Sequence, residues 1–300
     1  MSKRTIKYRL LLAGLYPLAL MPLGLLYGLS DVISFLLHRV IGYRLKVVRK
    51  NLRASFPEKT EKELNKIERD FYRHLCDCFA EIVKMLHISD KEVFKRIKLK
   101  NEGLVHELLK GGHPIILYLG HFGNWEWVPA MTLMLDEPKK MGALYQPQHD
   151  KVMDDLMIKI RSRFNLICIQ KSRAYRYLLE MKRETPSFMI GFIADQRPLG
   201  SHHKHWTWFL DQPTAYMAGG ETIGERVGAH YLYVEARKVK RGHYVLEFKK
   251  MEPDPDDKDE FPYTRKYFRM LEESIRENPP FWLWSHNRWK SKPEEGQTIL

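Results

Sequence analysis

Cysteine is scarce in this 300-residue chain, which contains only Cys76, Cys78 and Cys168. An odd number of cysteines without the spacing of a disulfide framework excludes the small disulfide-stabilised secreted proteins and indicates a reducing compartment. Cys78 falls on the apolar stripe of a predicted helix and Cys76 does not. We therefore interpret Cys78 as a small buried hydrophobic residue rather than as one of two metal ligands.

Acidic residues are nearly absent from the first 53 positions, where Asp31 is the single acid among ten Lys and Arg residues. This segment therefore carries nine of the 13 net positive charges of the chain. A basic excess confined to one end argues against a nucleic-acid groove spread over a domain, so no nucleic-acid partner is expected. It favours contact with a local anionic surface.

Charge of either sign is absent from residues 10–30, whose sequence is LLLAGLYPLALMPLGLLYGLS. The run is long enough to cross a bilayer, although its prolines and glycines would bend it. We predict a membrane anchor over residues 1–40 and one α/β domain over residues 41–300, with a cleaved signal peptide or a buried core helix as alternatives. Basic residues on both flanks favour a shallow or re-entrant anchor, with YRLKVVRKNLR (43–53) lying on anionic lipid head groups.

The rest of the chain predicts an α/β fold, a mainly parallel mixed sheet flanked by helices, behind the N-terminal membrane-anchoring helical segment. Residues 60–89 repeat apolar positions at threes and fours, which predicts an amphipathic helix. Residues 230–251 alternate around Arg241 and Gly242, which predicts an antiparallel hairpin at the sheet edge. A solvated acidic loop is expected over 254–260 and a last helix over 264–277. Four continuous apolar runs predict strands covered on both faces: 114–119, 141–145, 166–169 and 187–194.

Polar residues follow three of these four predicted strands. His121 follows the first, Tyr145 and Gln146 stand at the end of the second, and Asp195 with Gln196 follows the fourth. Ligands of open α/β sheets gather outside the carboxyl ends of the strands. The sequence therefore predicts one polar rim that these side chains share.

A histidine followed five positions later by an acid is common in this chain and does not select a site by itself. The pattern occurs four times, at His87, His121, His149 and His230. Of these, only His121 follows a buried strand and a glycine and precedes a probable helix start. Five residues are about 140° apart around a helix, so His121 and Glu126 would meet only with His121 in the turn and Glu126 in the first helical turn.

The chemistry of such a pair suits acyl transfer from an activated donor. A carboxylate that binds one imidazole nitrogen fixes the tautomer, which leaves the other nitrogen free to remove a proton from a hydroxyl. No serine or cysteine nucleophile is needed when the acyl donor is a thioester. The alternative reading of His121 is a structural histidine at a strand-to-helix turn.

Several ordered motifs make the chain similar to a known family. They are NLRASFPE at 51–58, GHFGNWE at 120–126, LYQP at 144–147, ADQRP at 194–198 and WLWSHNRWK at 282–290. On these motifs the chain resembles the late acyltransferases of lipid A biosynthesis, the lauroyl and myristoyl transferases of Gram-negative bacteria, within the lysophospholipid acyltransferase superfamily. The resemblance covers nearly the whole chain.

The resemblance implies transfer of a fatty acyl chain from acyl carrier protein to a hydroxyl of a lipid A precursor, an acylated and phosphorylated glucosamine disaccharide of lipopolysaccharide biosynthesis. It implies an enzyme without a cofactor, attached to inner-membrane lipids with its active domain facing the cytoplasm. His121 would be the general base and Glu126 its orienting partner. A basic residue of the RSRFN segment, Arg161 or with some preference Arg163, would stand near the anionic intermediate or a donor phosphate.

The resemblance also implies that Asp195 holds the site together, and Gln146 stands on the LYQP motif as a candidate substrate contact. Arg288, beside His286, is a candidate phosphate contact. The SHHKH segment, which includes His202, His203 and His205, departs from the family pattern. Its histidines are too close together for a conventional ligand set, so we expect a solvated or phosphate-facing loop and no metal.

The three tryptophans of the last motif, Trp282, Trp284 and Trp289, are interpreted as packing residues, with lipid contact as the minority reading. Two other functions remain as alternatives to lipid A acylation. One is acylation of a glycerophospholipid or another lipid, and the other is a non-catalytic peripheral lipid-binding protein.

Overall fold

The computed structural model describes residues 3–200 and 203–300. Its α-helices are α1 (Lys3–Leu20), α2 (Leu23–Phe35), α3 (Leu45–Ser55), α4 (Glu61–Lys84), α5 (Asp90–Arg96), α6 (Gly103–Leu109), α7 (Lys151–Ser162), α8 (Ala174–Glu184), α9 (Gly219–Val227) and α10 (Pro262–Glu277). Its strands are β1 (Ile97–Lys100), β2 (Ile115–Leu119), β3 (Met141–Tyr145), β4 (Ile167–Gln170), β5 (Met189–Ile193), β6 (Trp206–Phe209), β7 (Gln212–Ala215), β8 (His230–Lys240) and β9 (His243–Lys250).

The main sheet has seven strands in the order β1-β9-β8-β2-β5-β3-β4. Every neighbouring pair is parallel except β8 with β9, so the predicted mainly parallel mixed sheet is confirmed. The four predicted strands form as β2, β3, β4 and β5. Both faces of β2 are buried, because Ile116 and Tyr118 enter one apolar cluster whereas Ile115 and Leu117 enter the other.

The hairpin β8–β9 forms around Arg241 and Gly242 as predicted, but it does not lie at the sheet edge. The short strand β1 pairs parallel with β9 and takes the edge position. Its sequence, IKLK, alternates too briefly to be distinguished from the end of α5. A second sheet, the antiparallel pair β6 and β7, was also not predicted.

The long helix α4 confirms the predicted amphipathic helix, although it ends at Lys84 rather than near residue 89. Thr60 and Glu63 form a capping box at its start, which satisfies two of the free N–H groups of the first turn. Cys78 is buried as expected, and Cys76 is buried too although it lies off the predicted stripe.

The charge-free run of residues 10–30 is not one helix. It is divided at Met21–Pro22 between α1, which continues through Pro17, and α2, whose N-cap is Pro22. Helix α2 continues directly into a π-helical turn, Leu36–Ile41. Together Leu23–Ile41 is the described helix that is long and apolar enough to cross a membrane, by length and composition.

Two later segments complete the domain. The predicted last helix is confirmed as α10, and the acidic loop before it is mostly exposed. Asp257 departs from that prediction because it pairs with the buried guanidinium of Arg265. The three tryptophans 282, 284 and 289 are buried and pack on one another, which confirms the packing interpretation.

Candidate active site

His121 lies at the carboxyl edge of the sheet, two residues beyond the end of β2. The parallel pair β2 and β5 is in register at Leu119 and Ile193. Two residues further along each chain, His121 stands opposite Asp195. The imidazole Nδ1–H donates to Asp195 Oδ1 at 2.7 Å, and the His121 backbone N–H donates to Oδ2 at 2.9 Å.

Asp195 is almost fully buried and accepts a third hydrogen bond, from the indole N–H of Trp282 at 2.8 Å. Burial by itself would raise the pKa of this carboxyl. The charge of the His121 ring and the hydrogen bonds from His121 and Trp282 outweigh burial and lower the pKa to about 2. Asp195 is therefore ionised at neutral pH and holds His121 with Nδ1 as the donor.

The second ring nitrogen, Nε2, faces the amide of Gln196, whose Nε2 lies 3.1 Å away. In the neutral imidazole that carries its proton on Nδ1, His121 Nε2 is an acceptor, and the Gln196 amide donates to it. The Trp125 indole meets the imidazole at its edge, with 5.0 Å between ring centroids. A hydroxyl that replaced the Gln196 amide would present its proton to a basic nitrogen of fixed orientation.

Glu126 does not bind the imidazole, and this corrects the expected His121–Glu126 hydrogen bond. It lies in the first turn of a 3₁₀ helix, Trp125–Leu133, as predicted, but it receives two hydrogen bonds from Arg161, at 2.5 and 2.8 Å. Both carboxylate oxygens are thus engaged by one planar guanidinium of α7. Asp195, directly across the sheet from His121, holds the position that Glu126 was expected to hold.

The backbone of the GHFGNWE motif is held at His121 and Phe122 by the WLWSHNRWK segment, residues 282–290. Phe122 and Trp282 form an isolated antiparallel bridge, and the Leu283 N–H donates to the His121 carbonyl at 3.1 Å.

A family model described as bacterial lipid A biosynthesis acyltransferase matches residues 2–291. The chain belongs to this family.

Two relatives carry related names. They are the lipid A biosynthesis palmitoleoyltransferase of Escherichia coli (strain K12) and the lipid A biosynthesis acyltransferase of Shigella flexneri. Each is 24% identical over 287 residues, an alignment that covers 91% of this chain and 87% of the relative. By its family the protein is an acyltransferase of lipid A biosynthesis, which confirms the family that the resemblance indicated.

The structure of this lipid A acyltransferase separates the two candidate arginines. Arg161 binds Glu126, whereas the guanidinium of Arg163 donates to the carbonyl oxygens of Met85 and Ile88. Arg163 thus binds the backbone of the segment that follows α4, whereas Arg161 is the arginine that contacts the GHFGNWE motif.

The two remaining candidates, Gln146 and Arg288, differ in their exposure to solvent. Gln146 is exposed at the end of β3, at the predicted rim, and does not contact His121. Arg288 is fully buried, and burial lowers its pKa to about 10. Its Nε and Nη1 atoms have no hydrogen-bond partner within the described residues, while Nη2 donates to the Ala215 carbonyl.

The histidine segment is partly outside the described residues, because His202 is not among them. His203 is buried and its Nε2 lies 2.9 Å from the Ser291 hydroxyl, and His205 packs on Tyr216 and Phe261. His203 and His205 are thus packed rather than solvated. Among residues 3–200 and 203–300 there is no group of three or more His, Cys, Asp or Glu side chains arranged to hold a metal ion.

Two contacts of the site were missed by the sequence analysis. Trp282 was interpreted as a packing residue, with lipid contact as the minority reading, and its hydrogen bond to Asp195 was not expected; Gln196 was placed on the rim without a role. A signal for Gln196 was present, since it directly follows Asp195. None existed for the Trp282 contact, which joins residues 87 positions apart.

Proposed function

We propose that this protein moves a fatty acyl chain from an acyl carrier protein thioester to a hydroxyl of a lipid A precursor, with His121 as the general base. The observation that carries the proposal is the His121–Asp195 pair at the carboxyl edge of the sheet. Asp195, ionised and buried, fixes the ring so that Nε2 is the basic nitrogen.

In the proposed reaction the acceptor hydroxyl takes the place of the Gln196 amide beside Nε2. Nε2 removes the hydroxyl proton as the oxygen attacks the thioester carbonyl, and the imidazolium that forms is stabilised by Asp195. Collapse of the tetrahedral intermediate forms the ester and expels the thiolate, which takes the proton from Nε2. The side-chain amide of Gln196 and the guanidinium of Arg161 are the proposed donors to substrate oxygens in this step.

Glu126 has a different role in this proposal from the one that its spacing suggested. Its two hydrogen bonds hold the guanidinium of Arg161 in one plane. Glu126 therefore acts through Arg161, while Asp195 acts on the imidazole. Arg288 and His286, which both interact electrostatically with Asp195, are candidate contacts for a phosphate of the acceptor.

We propose that residues 1–41 attach the enzyme to the inner membrane, with the α/β domain on the cytoplasmic side where acyl carrier protein is found. Exposed apolar side chains support this: Leu10, Leu20, Leu25, Leu29, Val32, Phe35, Val40 and Ile41. Asp31 of the same helix pairs with Arg73 and Arg241 of the domain. Because these charges cannot enter hydrocarbon cheaply, an anchor lying along the membrane surface fits better than a span.

Mass spectrometry of lipid A tests the proposal. In cells that lack the gene, the wild-type protein should restore one acyl chain per lipid A molecule. The His121→Ala variant should lose the general-base contribution, about 10²- to 10⁴-fold in rate, while remaining folded and membrane-bound. As a matched control, His230→Gln changes a histidine of the same spacing at the start of β8, on the opposite edge of the sheet, and should stay within a few-fold of wild type.

The same experiment separates the alternatives. A new acyl chain on glycerophospholipids, with lipid A unchanged, would replace the proposed acceptor. Activity of His121→Ala near the wild-type rate would show that the residue is structural.

A further inference from the structure

Helix α2 is bound to the domain by polar side chains as well as by apolar packing. It lies along α4, where the carboxylates of Asp77 and Glu81 are buried, almost completely in both cases. Buried carboxylates are costly unless donors satisfy them. The donors come from three places: the anchor helix α2, the hairpin β8–β9 and the loop of residues 120–124 that contains His121.

The first connection passes through Glu81. The Tyr27 hydroxyl of α2 donates to Oε1 at 2.8 Å, and the Asn124 amide of loop 120–124 donates to Oε2 at 2.5 Å. Tyr244 of β9 donates to Oε2 at 2.9 Å. One carboxylate therefore joins the anchor helix directly to a residue three positions from His121.

The second connection passes through Asp77. Arg241 donates to Asp31 of α2 and to Asp77 of α4 through a single guanidinium. Lys238 lies 3.4 Å from Asp77 and 3.3 Å from Nδ1 of His74. His74 completes the path, because its Nε2–H donates to the Gly123 carbonyl at 3.0 Å.

The protonation state of His74 is consistent with this direction of hydrogen bonding. Burial lowers its pKa to about 3, so the ring is neutral at physiological pH. A neutral ring that donates from Nε2 accepts at Nδ1, which is the nitrogen that the Lys238 ammonium approaches. Every buried polar group along the path therefore has a complementary partner.

We propose that α2 is a positioning element for loop 120–124, in which Tyr27 and Asp31 act through the carboxylates of Glu81 and Asp77. The inference rests on the proposed role of His121 for its kinetic consequence, whereas its structural consequence is independent of that role. The anchor on this view has two separate faces. Its exposed apolar face contacts the membrane, and its polar face keeps Gly123 and Asn124, and with them His121, in place.

The test uses the full-length protein in detergent micelles and changes only the polar face. Tyr27→Phe removes one donor to Glu81, and Asp31→Asn weakens the pair with Arg241, while both retain the shape of the side chain. Tyr16→Phe and Asp70→Asn are matched controls, because Tyr16 binds His87 and Asp70 pairs with Arg69 of its own helix. Neither control contacts loop 120–124 or its two connections.

Two measurements distinguish positioning from general stability. Hydrogen exchange of the amides in residues 118–128 should become about 10-fold faster in Tyr27→Phe, with strands β3 to β5 unchanged. The kcat should fall about 10-fold with KM within about 2-fold, because a small misplacement of a catalytic group costs turnover rather than binding. Sedimentation with membranes should not change.

The outcomes separate this inference from the proposed function. Unchanged exchange in residues 118–128 and unchanged kcat in both α2 variants would overturn the inference, while loss of activity in His121→Ala would still support the function. Faster exchange with unchanged kcat would keep the structural connection and count against His121 as the base. If kcat fell equally in Tyr27→Phe and Tyr16→Phe, the effect would come from the general stability of the anchor, and the inference would be overturned.

Discussion

At the scale of single residues, the candidate site contains two buried carboxylates, and each binds a different side chain. Asp195 binds the imidazole and Glu126 binds Arg161. An imidazole that shuttles a proton needs a carboxylate on the nitrogen that does not react. In the proposed mechanism Asp195 has that role, and Glu126 keeps Arg161 fixed.

Replacement of each carboxylate by its amide separates the two roles. We expect Asp195→Asn to lower kcat about 10²- to 10⁴-fold, because the ring tautomer is no longer fixed and the imidazolium loses its counter-charge. Glu126→Gln keeps one acceptor for Arg161, so the loss should be smaller. The tautomer of the His121 ring, read from its ¹⁵N chemical shifts by NMR, should change in Asp195→Asn only.

A further comparison uses the low pKa of Asp195. Because it is lowered to about 2, wild-type activity should show no inflection from Asp195 above pH 4. The opposite pattern, in which Glu126→Gln alone changes the tautomer of the His121 ring, would return the orienting role to Glu126. The effects of Asp195→Asn and His121→Ala should not add in the double variant, since His121 and Asp195 act as a unit.

At the scale of elements, loop 120–124 is held from several sides at once. The Gly123 N–H donates to the Phe281 carbonyl and the Gly123 carbonyl accepts from His74. Gly123 has a φ of +61°, and a Cβ at this position would lie 1.9 Å from the Ala236 carbonyl oxygen. Only glycine satisfies both the left-handed backbone and the contact with β8.

Gly123→Ala should therefore displace the loop or the strand beside it. We expect loss of activity of at least about 10²-fold, since a displacement of about 1 Å of a reacting group has that effect. Gly103→Ala is the matched control, because a Cβ at Gly103 meets nothing within 4 Å and this residue begins α6. Wild-type activity in Gly123→Ala, measured beside the control, would show that the loop is not constrained as described.

The elements also show which features a sequence reveals. Strands β2 to β5 were predictable because each is a continuous apolar run with its own local signal. The short strand β1 depends on pairing with β9, nearly 150 residues later, and has no such signal. The site shows the same difference between local and distant signals. The spacing of His121 and Glu126 is a local pattern that the sequence displays. The partners that bind them, Asp195 and Arg161, lie 74 and 35 positions away.

At the scale of the whole molecule, the distribution of charge and apolar surface favours one orientation on a membrane. The exposed apolar side chains of α1, α2 and the π-helical turn precede α3, whose exposed face carries Lys46, Lys50 and Arg53. Apolar insertion and contact with anionic head groups would therefore occur side by side. The polar face of α2 points to α4 and takes no part in either contact.

This orientation predicts how the protein leaves the membrane. The intact protein should stay in the membrane pellet in 1 M salt, because salt shortens the Debye length to about 3 Å and removes only surface electrostatics. A triple variant with Leu25→Asn, Val32→Asn and Phe35→Asn should be released from the membrane. These side chains are 62%, 57% and 61% exposed and contribute apolar insertion. Asparagine at Leu199, which is 75% exposed on a loop after β5, is the control.

Substitution tests this attachment better than a deletion of residues 1–30. Such a deletion would remove Tyr27 and Ser30, the donors to the buried carboxylates Glu81 and Asp77, and would leave those groups unsatisfied. A deletion that released the protein would therefore confuse unfolding with detachment. The triple asparagine variant should instead remain folded by circular dichroism and keep the hydrogen exchange of residues 118–128 unchanged. Complete release of the unmodified protein by 1 M salt would show that its attachment is electrostatic and that the apolar face is not inserted.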